Sequence, residues 1–454
     1  MDWKVVKLGG SVLKDISDIN KAAELIGQKY STPLVVVVSA VNGITDFLQD
    51  GYLKIQRGEI SPEKFIAKLK KRNFVGLPAE KEISEKINTT LNLNPEDAGK
   101  KSREEFLSLG EKISACLLDL YLKKQGLNSK ILWPEEFGLF VGEKGSEIFV
   151  DLEKTRVNCA RHFSKDKILI IPGFYGIDEK NKIRLLGRGG SDYSATALGY
   201  CLKASRVDLW KNVAGVLSGP PDYLEKTKPV KRLSFEEAEE LAGYGAGVLH
   251  PKTVEPAREG NFPVFLYDFP LGQEPATVIY GEKGEGEGIK SLAFSGRFSV
   301  LKITGNWQDG ETEIFKKLLI CLEKEKIEIN SFHICPGSAA LLLNKEMAPK
   351  AKEVILSAGI DRVLRVECIE ETGLIALVGE GLGEKCCIAA RALSILSVGE
   401  IPVRFVSAGI SPVSMLIVVD AKQLKKALKI VHQEVIQKGV EKNEKELVSN
   451  KQKD

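Results

Sequence analysis

Short apolar runs of strand length alternate with amphipathic, helix-length stretches through the first 270 residues. Lys4–Leu8, Leu34–Ser39, Ile168–Ile171 and Val207–Trp210 are rich in Val, Ile and Leu, and a helix is expected near Ile19–Lys29. Strands that are apolar throughout, rather than at every second residue, are buried on both faces, and helices between them supply the crossovers of a parallel sheet. The pattern predicts an α/β sandwich built on a mainly parallel sheet. Residues 50–105 break the rhythm: they are Lys/Glu-rich and helix-favouring, and read either as an inserted helical subdomain or flap over a cleft, or as a solvated surface insertion.

Beyond Gly281–Gly288 (GEKGEGEG), a stretch without an apolar residue that reads as a linker, the order of elements changes. Strands at Phe298–Thr304, Glu328–His333 and Ala339–Leu343 accompany helices near Thr312–Glu323 and Pro349–Ser357. A second set follows: strands at Leu374–Val378, Val403–Ser407 and Ser414–Val419, with helices near Ile388–Leu396 and Ala421–Gln433. This βαββα order, repeated at a spacing of about 75 residues, predicts two tandem α+β modules. The expected division is therefore 1–280, a linker at 281–288, modules at 289–370 and 371–438, and a charged tail at 439–454 that is expected to fray.

Composition narrows the function classes. Lys and Arg number 65 against 62 Asp and Glu, so a net charge of +3 offers no global field for nucleic acid or an anionic membrane. The eight cysteines form no CxxC pair, and the four histidines form no HExxH, which argues against a zinc site, a disulfide framework or a histidine-based triad. No apolar run approaches the roughly 20 residues of a membrane span, and MDWKVVKLGGSVL lacks the regions of a secretion signal. A cytoplasmic protein that binds small ligands is expected.

Two glycine motifs carry candidate chemistry. LLGRGGSDYSATAL (185–198) places Arg188, Gly189, Gly190, Ser191 and Asp192 at the entry of a helix, where unpaired amides and the helix dipole favour an anion. Ser191 or Asp192 is expected to cap that helix, and Arg188 offers a fork suited to a carboxylate or phosphate. A capped helix after a tight turn, without a ligand, explains GGSD alone equally well. Lys7-Leu-Gly-Gly-Ser11 directly follows the first strand, so Lys7, Gly9, Gly10 and Ser11 sit where backbone amides face phosphates; a plain glycine-rich connection is the alternative. No GxxxxGK[ST] and no complete GxGxxG occurs, which argues against a P-loop and an ordinary dinucleotide site. His250, in VLHPKT, is expected to fix a turn before Pro251 rather than to act in catalysis.

KLGGS and LLGRGGSDYSATAL resemble the amino acid kinase superfamily. With VVVVSAVNGITDFL (35–48), SLGEKISACLL (108–118), IPGFYGID (171–178) and GAGVLHPKTVEPA (245–257), in order and at suitable spacings, the chain resembles the aspartokinases over nearly its whole length. The resemblance implies the three-layer amino acid kinase sandwich followed by two ferredoxin-like ACT modules. It implies transfer of the γ-phosphoryl of ATP, with Mg²⁺, to the β-carboxylate of L-aspartate. By the same resemblance Lys7 stabilises the moving phosphoryl and Asp192 orients Lys7. Arg188 holds a substrate carboxylate and Glu111 the substrate ammonium, while Ser39, Thr45 and Ser191 complete the aspartate pocket. Gly9, Gly10, Ser11, Lys211 and Asn212 join Lys7 on the nucleotide side. A lysine or threonine effector and a homodimer formed through the ACT modules are implied as well.

The chain departs from the family at identifiable places. It has KLGGSV where aspartokinases carry KFGGTS, and Lys211, Asn212 and Asp222 stand where the pattern WTDVDGVLTADPR has Thr, Asp and Arg. Gly247 takes the place of the lysine in AKVLHP. These changes leave open a second reading, a weakly active or non-catalytic paralogue that senses amino acids as a regulatory partner.

Overall fold

The computed structural model describes residues 2–74, 101–145, 147–270, 272–281, 288–307, 311–382 and 386–437. Most of the expected linker, the charged tail and the stretch 75–100 of the expected helical insertion lie outside the described residues; the insertion's earlier part contains a helix at Pro62–Phe74. Two compact units form. The first takes Met1–Val216, Pro229–Glu239 and Gly247–Gly284; the second takes Leu217–Lys228, Glu240–Ala246 and Glu285–Asp454.

The first unit holds an eight-stranded sheet in the order Arg232–Leu233, Thr277–Ile279, Val264–Asp268, Arg206–Lys211, Lys4–Leu8, Leu34–Val38, Ile168–Pro172 and Ser129–Ile131. The last six strands pair in parallel, and Thr277–Ile279 runs antiparallel to Val264–Asp268. Leu34–Val38 and Ile168–Pro172 are buried at every position, the signature of a sheet covered on both faces. Register brings the strand ends level: Leu8 lies opposite both Val38 and Trp210, and Val38 opposite Pro172. The connections leaving these four strands therefore open along one edge of the sheet, beyond its carboxyl ends, where open α/β sheets place their ligands.

Three helices frame that edge. Ile44–Gln56 and Gly190–Cys201 start there, behind Gly43 and Gly189, whose φ angles of 73° and 74° are left-handed and which give neither helix a side-chain cap. Arg103–Lys124 begins in a capping box between Ser102 and Glu105 and is buried along most of its length. Gly110 lets it approach the edge, since a Cβ there would stand 2.7 Å from Ala40 Cβ.

The second unit contains two four-stranded antiparallel sheets. One is built from Phe298–Gly305, Ile329–Cys335, Ser338–Asn344 and Val363–Ile369, with helices Glu311–Lys324 and Ala348–Ser357 on one face around Trp307, Leu318, Leu341 and Ile355. The other is built from Thr372–Val378, Val403–Ser407 and Ser414–Asp420, and its fourth strand comes from Ser291–Ser295. Ser291–Ser295 falls in the stretch expected to belong to the preceding module, yet it pairs with Thr372–Val378, from Ser291 opposite Val378 to Ser295 opposite Leu374. Each sheet has the ferredoxin-like order, with the fourth strand beside the first. The final helix is also less regular than expected. A short 3₁₀ turn at Ala421–Gln423 leads into Leu424–Val431, which passes into a π turn at His432–Gln437. No helix among the described residues is long and apolar enough to cross a membrane.

Candidate active site

A cavity of about 340 Å³ opens at the carboxyl edge of the first unit's sheet, and Lys7, Gly10, Ser11, Ser39, Thr45, Glu111, Arg188, Ser191 and Asp192 all face it. Nine of the residues singled out from sequence thus meet in one place, although they come from four separate segments. The uncapped N-termini of Ile44–Gln56 and Gly190–Cys201 converge on this cavity. Each presents first-turn amides and the positive end of a helix dipole, so the site is built to receive negative charge.

Asp192 organises the cations. Its Oδ1 lies 2.5 Å from Lys7 Nζ and its Oδ2 2.5 Å from Lys211 Nζ, and all three side chains are largely buried. Burial alone would raise the Asp192 carboxyl, but the ammoniums of Lys211 and Lys7 outweigh it and hold the group at about 2. For Lys7, loss of solvation is the largest influence; Asp192 pulls the other way and Lys211 adds repulsion, leaving its pKa below the ordinary lysine value. Sequence had suggested Ser191 or Asp192 as the helix cap. Gly189 takes the cap position instead, which frees Asp192, at the third helical residue, for the two lysines.

Glu111 faces the cavity from the middle of Arg103–Lys124. Its Oε1 accepts the backbone N–H of Ala40 at 3.1 Å, and its buried Oε2 has no hydrogen-bond partner. Burial, opposed by the Ala40 amide and by Lys7, raises its pKa to about 8. Arg188, by contrast, is exposed and has no ion pair or hydrogen bond among the described residues. An acid and a guanidinium thus stand ready on one cavity wall, each lacking a full complement of partners.

The glycines of the first loop fit by close approach. A Cβ at Gly10 would come 2.9 Å from the Ala40 carbonyl oxygen, and Gly9 donates its N–H to the Trp210 carbonyl at 3.3 Å. Three of the expected nucleotide-side residues, Gly9, Lys211 and Asn212, are not part of the cavity wall. Gly9 packs under Lys7 Nζ, Lys211 lies behind Asp192, and Asn212 is exposed at the strand's end. His250 caps the helix Pro251–Glu259, its Nδ1 accepting the Lys252 amide at 3.4 Å, in line with a turn-fixing role. The wall also includes residues that sequence reasoning passed over: Ala40, Val41, Asn42, Gly43, Asp46 and Phe174. Phe174 has a φ of 74° and donates its amide to Ser194 Oγ, and such a left-handed non-glycine residue is a feature only coordinates reveal. Among the described residues no group of three or more His, Cys, Asp or Glu is gathered to hold a metal.

Fold and site together define an α/β protein with a cleft framed by two helix N-termini at the carboxyl edge of its sheet, followed by ferredoxin-like modules. A family model described as the amino acid kinase family matches residues 2–268, and one described as an ACT domain matches residues 375–435. The chain belongs to the amino acid kinase family. It is similar to an aspartokinase of Geobacillus stearothermophilus, 28% identical over 342 residues that cover 74% of this chain and 82% of that protein. It is equally similar, 28% over 335 residues, to a bifunctional aspartokinase/homoserine dehydrogenase of Haemophilus influenzae, covering 71% of this chain and 41% of that protein. The chain spans about half the length of the bifunctional relatives it matches. In fold it resembles E. coli aspartokinase III in a crystal structure with aspartate and ADP, with a TM-score of 0.79 at 22% identity over 96% of this chain and 100% of that one.

Proposed function

We propose that this chain is an aspartate kinase, transferring the γ-phosphoryl of ATP to the β-carboxylate of L-aspartate to give 4-phospho-L-aspartate. The observation that carries the reading is the pairing of Glu111, with its unpartnered Oε2, and the unpaired Arg188 on the wall of the cavity that Lys7 enters. An amino acid brings the complement: an ammonium for Glu111 and a carboxylate for Arg188. The relatives named aspartokinase, and the aspartate and ADP bound by the E. coli protein, support the same acceptor and donor.

The chemistry asks little proton work of the protein. A side-chain carboxylate with a pKa of about 3.9 is already an ionised nucleophile at neutral pH. One of its oxygens forms a bond to the γ-phosphorus as the bond to the β,γ-bridging oxygen breaks, and that electron pair leaves on ADP. Lys7, the helix N-termini and the Gly9–Ser11 loop stabilise negative charge as it spreads over the moving phosphoryl. Mg²⁺ enters with the nucleotide as part of the substrate. Ser39, Thr45 and Ser191 hold aspartate in line. Residues 1–280 are assigned this catalysis. The modules within 289–438 are assigned homodimerisation and the binding of a lysine or threonine effector, in a cytoplasmic enzyme.

A coupled assay with aspartate, glutamate and N-acetylglutamate as acceptors tests the reading. Aspartate-dependent ADP formation is expected, and Lys7→Ala should lower kcat by at least about 10²-fold. Binding of both substrates without turnover in the unaltered protein overturns it. The altered segment around Lys211 and Asn212 favours the alternative of a regulatory partner, which would retain aspartate while failing to bind an ATP analogue in calorimetry.

A further inference from the structure

We propose that Glu135 is a positioning residue: held between Lys112 and Tyr175, it sets the separation of Glu111 from Arg188 and with it the length of amino acid that the cavity accepts. The inference rests on the amino-acid-acceptor reading above and deepens it by naming a determinant of acceptor choice.

Glu135 stands in the first turn of the short helix Pro134–Phe137 and is not itself part of the cavity wall. Both oxygens of its carboxylate are engaged. Oε1 lies 2.5 Å from Lys112 Nζ, and Oε2 accepts the Tyr175 hydroxyl at 3.1 Å. The same ammonium sits 5.3 Å from the centroid of the Tyr175 ring and 5.9 Å from that of Trp133, so two aromatic rings flank the ion pair. Three elements are pinned at one point: Arg103–Lys124 by Lys112, Pro134–Phe137 by Glu135, and the strand Tyr175–Ile177 by its first residue.

Two of these contacts lie one residue from the cavity. Lys112 follows Glu111, and Tyr175 follows Phe174, both of which face the cavity. From Tyr175 the path to Arg188 is short. Tyr175 pairs with Leu185 in a hairpin with Ile183–Leu185, Leu186 donates its amide to the Phe174 carbonyl at 2.8 Å, and Arg188 stands two residues further on. Glu135 therefore ties the helix that carries Glu111 to the hairpin that leads into Arg188. Those are the groups assigned to the ammonium and a carboxylate of the acceptor, so the distance between them is a gauge of its length.

The chemistry of the contact suits positioning better than stabilisation. Tyr175 is fully buried and its hydroxyl needs a partner; burial, with the Glu135 carboxylate beside it, holds the phenol's pKa well above its ordinary value, so it remains a donor. The Lys112–Glu135 pair, by contrast, is 17 and 32% exposed, and an ion pair that open to water adds little to stability. What it supplies is geometry. A fitted pocket discriminates one methylene by about 10–200-fold, and a displacement of about 1 Å can cost about 10²-fold, so a small movement of Glu111 against Arg188 is enough to blur the gauge.

Glu135→Ala and Glu135→Gln, made in the full chain, test the assignment by calorimetric titration of aspartate, glutamate and a Mg²⁺-bound non-hydrolysable ATP analogue. In Glu135→Ala aspartate affinity should fall about tenfold, and the preference for aspartate over glutamate should shrink by at least about fivefold. The analogue should bind within about threefold of its affinity for the unaltered protein, and the melting temperature should hardly move. Glu135→Gln keeps an oxygen for the Tyr175 hydroxyl and should fall between. An undiminished preference for aspartate in Glu135→Ala overturns the proposal, as does equal loss of aspartate and analogue together with a lowered melting temperature, which marks a purely structural contact. An unaltered protein that prefers aspartate in binding yet never turns it over would refute the kinase reading, and the gauge would stand if Glu135→Ala still erased that preference.

Discussion

Ala40 donates its backbone amide to Glu111 Oε1 at 3.1 Å and leaves Oε2 of the same carboxyl buried without a partner. One oxygen is anchored and the other left without a partner, so the carboxyl on the cavity wall is held in place by the Ala40 amide. Its pKa of about 8 means that it holds a proton at neutral pH while the pocket is empty.

Aspartate binding should therefore release a proton. An ammonium beside Glu111 favours the carboxylate, so affinity for aspartate should rise with pH between 6 and 8, by as much as about tenfold per unit when a whole proton is released. Calorimetry in two buffers of different ionisation enthalpy measures that proton directly. Glu111→Gln should abolish the release and weaken aspartate binding. It should also remove a stability loss, because a carboxyl raised from near 4.5 to about 8 on folding destabilises the native state progressively across that interval.

Asp192→Ala should be among the most damaging single changes in the first unit. It leaves two buried ammoniums facing each other, and breaking such a buried arrangement costs about 3–5 kcal/mol. Chemical denaturation reads the loss, and the coupled assay should read near-complete inactivity. In the unaltered protein the native carboxyl is held near 2, below its unfolded value. Its contribution is complete above that unfolded value and disappears only as pH falls towards 2.

Gly10→Ala drives a Cβ to 2.9 Å from the Ala40 carbonyl oxygen, a backbone atom with no rotamer to escape into. The loop must shift, at a cost of about 1–3 kcal/mol, and carry the phosphate cradle with it. A fall in kcat with only a small change in melting temperature is the expected outcome. Full activity in this variant would show that the loop is not a close-fitting cradle.

His432 and Ser218 predict an acid sensitivity in the second unit. Their side chains meet at 2.9 Å in a buried setting, and burial depresses the His432 pKa. A histidine depressed on folding costs stability as pH falls below its unfolded value near 6.5, until the native group itself protonates. Thermal melts should show this unit weakening below pH 6.5, and His432→Gln should flatten the dependence. Unchanged pH profiles in that variant would argue against this pair as the cause.

How much of the site could be read from letters follows the kind of group involved. Lys7, Gly10, Arg188, Ser191 and Asp192 were legible because motif spacing ties side-chain type to a strand end or helix start, and the parallel sheet brings such ends together. The Ala40 amide was not, since every residue but proline has one and only geometry says which is used. The direction of Lys211 depended on a rotamer, and only the structure turns it onto Asp192. The expectation that Ser191 or Asp192 caps the helix is not met, because Gly189 takes the cap position and two ammoniums hold the Asp192 carboxylate, whose placement beside Lys7 the resemblance already implied. In the second unit, the periodicity showed the βαββα repeat. The place of Ser291–Ser295 depended on a pairing some eighty residues away, which a local pattern does not encode.

That pairing makes the two ACT-like sheets nested rather than consecutive. The sheet that begins with Phe298 opens and closes inside a bracket formed by Ser291–Ser295 and Thr372–Val378. A cut near residue 370 would separate no finished domain, because it strips the outer sheet of an edge strand and leaves that strand on the wrong fragment. Excising the inner module as a cassette, with the bracket rejoined, is the division the topology permits.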